Sequence, residues 1–180
     1  MPVSRRLLLG GAAALSAAPI MRARAQGKPS IKLGVLTDLS GTYRDNTGPT
    51  SVAAAQQAID EMKPHLSFDV ELISADHQNK PDVASTIARQ WYDQGVAATI
   101  DVPTSSVALA VQGVTREKNK IFLASGPATT ALTGEQCSPN FVHWTYDTYM
   151  LAKSTGGAMV KAGGDSWYFL TADYAFGKQL

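Results

Sequence analysis

The sequence predicts an α/β fold, a doubly wound parallel sheet with helices on both faces. Short β-rich apolar runs alternate with segments of helical length, and prolines or small polar residues stand where those segments begin. Polar loops rich in Gly, Thr, Ser and Asp separate the elements. Because crossovers between parallel strands are right-handed, the helices must cover both sides of the sheet.

The first unit starts with the apolar run 31–37, which is typical of a buried parallel strand. The polar loop 38–48 follows it. Pro49 stands where a helix begins, and apolar residues recur at helical spacing until Pro64 ends the helix.

The next units repeat this order of strand, loop and helix. Pro81 opens the second helix, and either Thr104 or Ser105 can cap the third. We predict a strand at 68–75, a helix from Pro81 to Gly95, a strand at 96–102, a helix through Val114 and a strand at 121–124.

The pattern loosens after Ser125. The segment 126–140 is long and polar, as functional loops often are. A short strand or crossover at 141–145, a helix at 148–161 ended by Gly163 and Gly164, and an apolar strand at 167–171 are predicted next. We therefore expect one lobe over 26–145, and over 146–180 a crossover with the first strand and helix of a second, incomplete lobe.

The first 25 residues have the composition of an export signal. Arg5 and Arg6 precede a short apolar stretch from Leu7 to Ile20, and Ala23-Arg-Ala25 offers small residues at the positions that a signal peptidase recognises. The paired arginines resemble a twin-arginine signal, and the general secretion route is the alternative. Both predict a periplasmic protein.

Charge and cysteine content exclude some classes of function. Without the four arginines at 5, 6, 22 and 24, the chain keeps 12 basic and 15 acidic residues, a net charge of −3. This balance argues against a nucleic-acid partner, whose phosphates require a basic surface. The lone Cys137 cannot form an internal disulfide, and we predict that it is buried.

An enzyme is the main competing class of function. His65, His77 and His143 lack metal-ligand spacing, and the sequence contains no nucleophile elbow, phosphate loop or dinucleotide-binding glycine motif. Cys137 has no basic residue beside it in the sequence that would activate it as a nucleophile. No catalytic residue, metal site or cofactor is expected.

Several segments in order resemble the leucine/isoleucine/valine-binding protein family. They are Ile31-Lys-Leu-Gly-Val-Leu-Thr-Asp-Leu-Ser-Gly41, then Gly48-Pro49 with Ala58-Ile-Asp60, Asp76-His-Gln-Asn-Lys-Pro-Asp82, Ile121-Phe-Leu-Ala-Ser125 with Ala128-Thr129 and Leu132-Thr133, and Asp173-Tyr-Ala-Phe-Gly177. The resemblance implies a type I periplasmic binding fold whose two lobes close on an amino acid or similar small carboxylate. It also implies delivery of that ligand to the membrane permease of an ABC transporter.

The loops after parallel strands meet at one edge of the sheet, where open α/β sheets bind ligands. Ser105 and Ser106 begin the third helix at this edge, where N–H groups and the helix dipole favour a carboxylate. The alternative role of either serine is a helix N-cap. Both interpretations place these two side chains at the expected cleft.

The resemblance implies further ligand contacts. Thr129 would donate its hydroxyl and N–H to the ligand carboxylate, and the carbonyl of Pro127 would accept from an α-amino group. Ala128, between these two residues, is also an implied ligand contact. Tyr43 and Phe176 would contact the ligand from the two lobes, and Tyr149 lies on the crossing segment. For Tyr43 and Thr129 the alternative is an exposed loop residue.

Two other functions stay open at this level. The chain could be a ligand-sensing module of a receptor with the same fold, or a non-functional fragment of such a binding protein. Neighbouring genes for a permease and an ATPase would favour transport, whereas genes for a kinase or a cyclase would favour sensing.

Overall fold

The structure, a computed structural model, describes residues 28–180. The predicted export signal at 1–25 lies outside these residues. The strands are Ser30–Thr37 (β1), Asp69–Asp76 (β2), Ala98–Asp101 (β3), Ile121–Ala124 (β4) and Phe141–His143 (β5). All neighbouring pairs are parallel, in the order β2-β1-β3-β4-β5.

Helices connect and follow these strands. They are Gly48–Met62 (α1), Pro81–Asp93 (α2), Ser105–Lys118 (α3), Thr148–Leu151 (α4), Gly157–Lys161 (α5) and Ala175–Gln179 (α6). A π-helical turn, Ala152–Gly156, joins α4 to α5, and short 3₁₀ turns occupy Lys63–His65 and Thr130–Leu132. The predicted doubly wound parallel sheet is confirmed.

The helices divide between the two faces of the sheet. α1 packs against β1 and β2, whereas α2 and α3 pack against each other. The chain leaves β1 for β2 in one direction and continues from β3 to β4 in the other, so right-handed crossovers place α1 opposite α2 and α3. The direction of winding changes between β1 and β3, and this gap is the switch point of the sheet.

The core lies between the sheet and the face formed by α2 and α3. Its buried apolar side chains include Leu36, Trp91, Val111 and Phe122. A Cβ atom on Gly34 would lie 2.4 Å from the indole ring of Trp91, so the absence of a side chain in β1 lets α2 approach the sheet. The apolar residues that recur at helical spacing in α2 and α3 thus face the sheet and form the core.

The loop 126–140 is ordered by one buried amide. Gln112 of α3, which is 2% exposed, donates from Nε2 to the carbonyl oxygens of Leu132 (2.9 Å) and Gln136 (2.6 Å). A buried donor satisfied by two carbonyls holds the loop against α3. The predicted long loop therefore has a fixed path along the edge of the sheet.

Two sequence-based predictions are wrong. The segment 167–171 is not a strand, and Tyr168 and Leu170 are 92% and 94% exposed. Among the described residues no strand lies beside this segment, so its backbone groups have no ladder partner. Cys137 is exposed rather than buried, because it lies in the stretch 133–137, all of whose residues are exposed.

The helical region 148–161 ends as predicted. Gly163 has φ +94°, and the N–H of Gly164 donates to the carbonyl of Met159 at 3.0 Å, which closes the helix with a left-handed residue. Within residues 28–180, no helix has the length and apolarity needed to cross a membrane.

Candidate functional site

A cavity of about 320 Å³ opens at the carboxyl edge of the sheet, at the switch point between β1 and β3. Its walls come from the segments that follow β1, β3, β4 and β5 and from the N-cap and first turn of α6. The lining residues are Tyr43, Asn46, Thr47, Pro103, Ser105, Ser125, Gly126, Ala128, Thr145, Tyr146, Tyr174 and Phe176.

Two carboxylates fix the loop that carries Tyr43. Asp38, which is fully buried, accepts hydrogen bonds from the N–H groups of Gly41 (2.7 Å) and Tyr43 (2.9 Å). Asp76, at the end of β2, accepts from the N–H of Leu39 (3.0 Å) and the hydroxyl of Ser40 (2.5 Å). The position of Tyr43 therefore depends on acids at the ends of both β1 and β2.

The acidity of Asp76 reflects this arrangement. Desolvation raises the pKa of the Asp76 carboxyl, but hydrogen bonds from Ser40, Gln78 and Leu39 together outweigh it, so its pKa lies below the usual value. A depressed folded-state pKa stabilises the fold above the pKa of the unfolded chain, and this contribution is lost as the pH falls through the folded-state pKa.

The Asp76→Asn variant is expected to melt a few degrees below the unmodified chain at pH 7, and the difference should shrink towards pH 3. Thermal unfolding followed by circular dichroism at both pH values measures it. Asp45→Asn is the control and should change little, because the Asp45 side chain, in the loop that Asp76 holds, is 86% exposed and pairs with Arg44 at the surface. A melting difference for Asp76→Asn that is the same at both pH values would contradict this explanation.

The N-terminus of α3 brings two predicted site residues together. The Oγ of Ser105 accepts a hydrogen bond from the N–H of Thr129 at 3.2 Å. Thr104 is the N-cap residue of α3, and its side chain makes no capping bond. Ser105, 2% exposed, lines the cavity as the first residue of the helix, and within residues 28–180 its hydroxyl proton is not used in a hydrogen bond.

The loop after β4 is held tightly against β3. Ser125 donates its hydroxyl to Oδ1 of Asp101 at 2.9 Å, and an added Cβ on Gly126 would lie 2.7 Å from Cα of Pro103. Asp101 and Val102 have φ of +79° and +57°, which is strained for residues with side chains. Backbone strain at the end of β3 thus accompanies the close approach of the two loops.

The turn before α6 closes the cavity opposite Tyr43. The hydroxyls of Tyr43 and Tyr174 lie 2.6 Å apart, their rings meet edge to face, and the ring of Tyr174 stacks on Phe176. Desolvation, then the hydrogen bond with Tyr43, raises the pKa of Tyr174. The Tyr174 phenol is therefore neutral near pH 7.

Four predicted ligand contacts line this one cavity: Tyr43, Ser105, Ala128 and Phe176. The other four do not. The hydroxyl of Ser106 accepts a hydrogen bond from the N–H of Ala175 (3.4 Å). Thr129 is buried and its hydroxyl donates to Gln179, while the carbonyl of Pro127 is hydrogen-bonded to His143. Tyr149 is 63% exposed, and the ammonium group of Lys153 lies over its ring.

Three residues at or near the cavity were not predicted from the sequence: Tyr146, Tyr174 and Gln179. Tyr174 lies two residues before Phe176, so the presence of a second aromatic residue beside a predicted ligand contact could have identified it. The contact between Gln179 and Thr129 joins residues 50 positions apart and left no sequence signal.

No group of three or more His, Cys, Asp or Glu side chains in residues 28–180 has a metal-binding arrangement. The acids near the cavity instead surround His77, which is fully buried and accepts from the N–H of Asn79 through Nδ1 at 2.9 Å. Burial lowers the pKa of His77, while Asp38, Asp76 and Asp101 raise it by smaller amounts. This histidine is structural, beneath the loops that form the cavity.

A family model described as periplasmic binding protein matches residues 30–180. A periplasmic binding protein from Burkholderia mallei is 44% identical with a TM-score of 0.80, over 85% of this chain and 41% of that one. A branched-chain amino acid ABC transporter periplasmic ligand-binding protein from Burkholderia xenovorans is 37% identical with a TM-score of 0.72, over 82% and 40%.

A solute-binding protein of an R. palustris ABC transporter, solved with benzoate, shares the fold at 22% identity, with a TM-score of 0.74 over 83% of this chain and 42% of that chain. No curated protein sequence matches the chain significantly. The chain spans about two fifths of the length of the solved structures described here.

Proposed function

The chain belongs to the family of periplasmic binding proteins, and on this basis we propose that it captures a small carboxylate outside the cytoplasmic membrane for uptake by an ABC transporter. The observation that carries the proposal is the cavity at the switch point, which gathers Tyr43, Ser105, Ala128 and Phe176. Open parallel sheets bind small ligands at this position.

The hydroxyl of Ser105 is the proposed donor to the ligand carboxylate. Its oxygen already accepts the N–H of Thr129, so its own proton is free to point into the cavity. The 14-residue helix α3 adds the positive end of its dipole at the same place. A buried hydroxyl at a helix N-terminus supports recognition of a negative charge.

Capture requires no chemical step. The hydrogen bond between Tyr43 and Tyr174 joins the loop after β1 to the turn before α6, so these two segments move together when the cavity closes on a ligand. A ligand that contacts both segments stabilises the closed arrangement by its differential contacts. The closed form is the form proposed to dock on the permease.

The Burkholderia xenovorans relative, at 37% identity, supports the assignment to transport. Its description as a ligand-binding protein of a branched-chain amino acid transporter places amino acids among the candidate ligands. The export signal predicted at 1–25 supports a periplasmic location, by either the twin-arginine or the general secretion route.

Ser105→Ala is expected to weaken binding of a small carboxylate by about tenfold or more, because a hydrogen bond to a charged group is lost. Isothermal titration calorimetry of the full chain against a panel of amino acids and their deaminated acids measures this effect. Ser85→Ala removes a hydroxyl on the exposed face of α2 and should leave the affinity unchanged. Equal affinities for Ser105→Ala and the unmodified chain would remove Ser105 from the site.

A further inference from the structure

The helix α6 is hydrogen-bonded at both of its ends to the part of the fold that carries Ser105. At its start, the N–H of Ala175 donates to Oγ of Ser106 in α3 at 3.4 Å. At its end, the amide oxygen of Gln179 accepts hydrogen bonds from the hydroxyls of Thr129 and Thr130, the latter at 3.1 Å. α6 therefore bridges the N-terminus of α3 and the loop that follows β4.

The amide oxygen of Gln179 is the acceptor at which a chain of threonine hydroxyls ends. Oγ1 of Thr148, the first residue of α4, donates to Oγ1 of Thr130 at 3.4 Å, and Thr130 in turn donates to Gln179. Thr129 donates to the same oxygen. An amide oxygen has two lone pairs, so these two donors use its whole accepting capacity.

The hydroxyl of Thr129 depends on this contact because Thr129 is fully buried. Its oxygen already accepts the N–H of Ala131 at 3.3 Å, and its proton goes to Gln179. A buried hydroxyl that loses its acceptor cannot turn to water, so the surrounding loop must shift to satisfy it. The path of the loop at Thr129 is therefore set from α6.

The backbone of Thr129 connects this contact to the cavity. Its N–H donates to Oγ of Ser105 at 3.2 Å. This bond selects the side-chain rotamer of Ser105, and it occupies one side of the oxygen, which leaves the hydroxyl proton for a ligand. Of the three residues joined in this way, Ser105 lines the cavity.

We propose that Gln179 is a positioning residue of the binding site: by holding Thr129, it fixes the Ser105 hydroxyl in the orientation that receives a ligand carboxylate. The proposal rests on the proposed function, because it names a residue that acts through Ser105 without touching the ligand. Binding groups must be held within about 0.5 Å of their productive position by the residues that support them. Loss of the Gln179 acceptor therefore weakens binding.

Gln179→Met keeps the length of the side chain and removes its acceptor. It is expected to weaken binding about fivefold to tenfold, because the bond between Ser105 and the carboxylate loses its geometry. Calorimetric titration of the full chain measures this effect. The probe is the member of a panel, the standard L-amino acids and their deaminated acids, that binds the unmodified chain most tightly. Gln90→Met makes the same chemical change on the exposed surface of α2 and should leave the affinity unchanged.

A double-mutant cycle separates positioning from a general structural effect. If Gln179 acts through Ser105, Gln179→Met should change the affinity by less than about twofold in a chain that already carries Ser105→Ala. Thr129→Val breaks the contact from its other partner, since valine keeps the shape of threonine and lacks the hydroxyl. It should weaken binding as much as Gln179→Met, and the two changes together should cost no more than either alone.

An equal loss from Gln179→Met with and without Ser105→Ala would overturn the proposal, because Gln179 would then act on the fold in general. Unchanged affinity would also overturn it, and tighter binding would show instead that Gln179 occupies an oxygen site that the ligand needs. These outcomes leave the proposed function in place. If no member of the panel bound the unmodified chain while circular dichroism showed it folded, the proposed function would fail and this proposal with it. Gln179 is exposed, so its replacement disturbs no core, and Thr129→Val provides the test where a Gln179 variant does not fold.

Discussion

Replacing Phe122 with alanine is expected to lower the free energy of unfolding by about 3–5 kcal/mol, as for other large buried aromatic side chains. Phe122 is the central apolar residue of β4 and is fully buried. Its ring packs against Phe141 of β5 with centroids 5.2 Å apart, and it belongs to the same core as Trp91 and Val111. Truncation removes contacts with the neighbouring strand and with the helical layer.

The preceding residue provides the control. Ile121 lies in the same strand but points to the opposite face and is 45% exposed, so Ile121→Ala should cost about 1 kcal/mol or less. Urea unfolding followed by circular dichroism, with the midpoint and slope of each transition compared, measures both changes. Equal losses for the two variants would show that the core is not centred on the side of β4 that faces α2 and α3.

Much of this fold could be predicted from the sequence because each element carries its own local signal. The run 31–37 and the prolines at 49 and 81 mark strand and helix starts that the structure reproduces within one or two residues. The segment 167–171 has an equally apolar composition, yet it forms no strand. Composition favours a strand only where another strand completes its hydrogen bonds.

The position of the site was more predictable than its contacts. Parallel strands bring their carboxyl ends to one edge, so the loops carrying Tyr43, Ser105 and Ala128 had to converge. The partners of Pro127 and Thr129 could not be predicted this way. His143 and Gln179 reach them from 16 and 50 residues away, and such contacts follow from packing rather than from local pattern.

The loop 38–48 shows why polar residues are hard to assign from sequence alone. From the sequence, the carboxylates of Asp38 and Asp76 could equally bind a ligand. In the structure Asp38 accepts hydrogen bonds from Gly41 and Tyr43, and Asp76 accepts hydrogen bonds from Leu39 and Ser40. Their role is to present Tyr43. An acid at the end of a strand can therefore serve the site through the backbone, and only the hydrogen-bond partners distinguish this role from direct binding.

Gly126→Ala is expected to reduce ligand affinity by at least about tenfold, since displacing a binding group by about 1 Å is costly. Gly126 has no positive φ, so its importance comes from space. An added Cβ would lie 2.7 Å from Cα of Pro103, a backbone atom that cannot rotate away. The loops after β3 and β4 must separate, which stretches the hydrogen bond between Ser125 and Asp101.

Calorimetry with whichever carboxylate binds the unmodified chain most tightly measures the loss. Gly113→Ala is the matched control, because a Cβ there meets nothing within 4 Å and lies within α3. Replacing this helical glycine should add up to about 1 kcal/mol of stability and leave the affinity unchanged. If Gly126→Ala bound with the affinity of the unmodified chain, the contact between the loops would be a packing detail rather than the element that sets the width of the cavity. If Gly126→Ala instead lost affinity while its circular dichroism spectrum stayed that of the folded chain, the contact between the two loops would be what holds the binding residues in place.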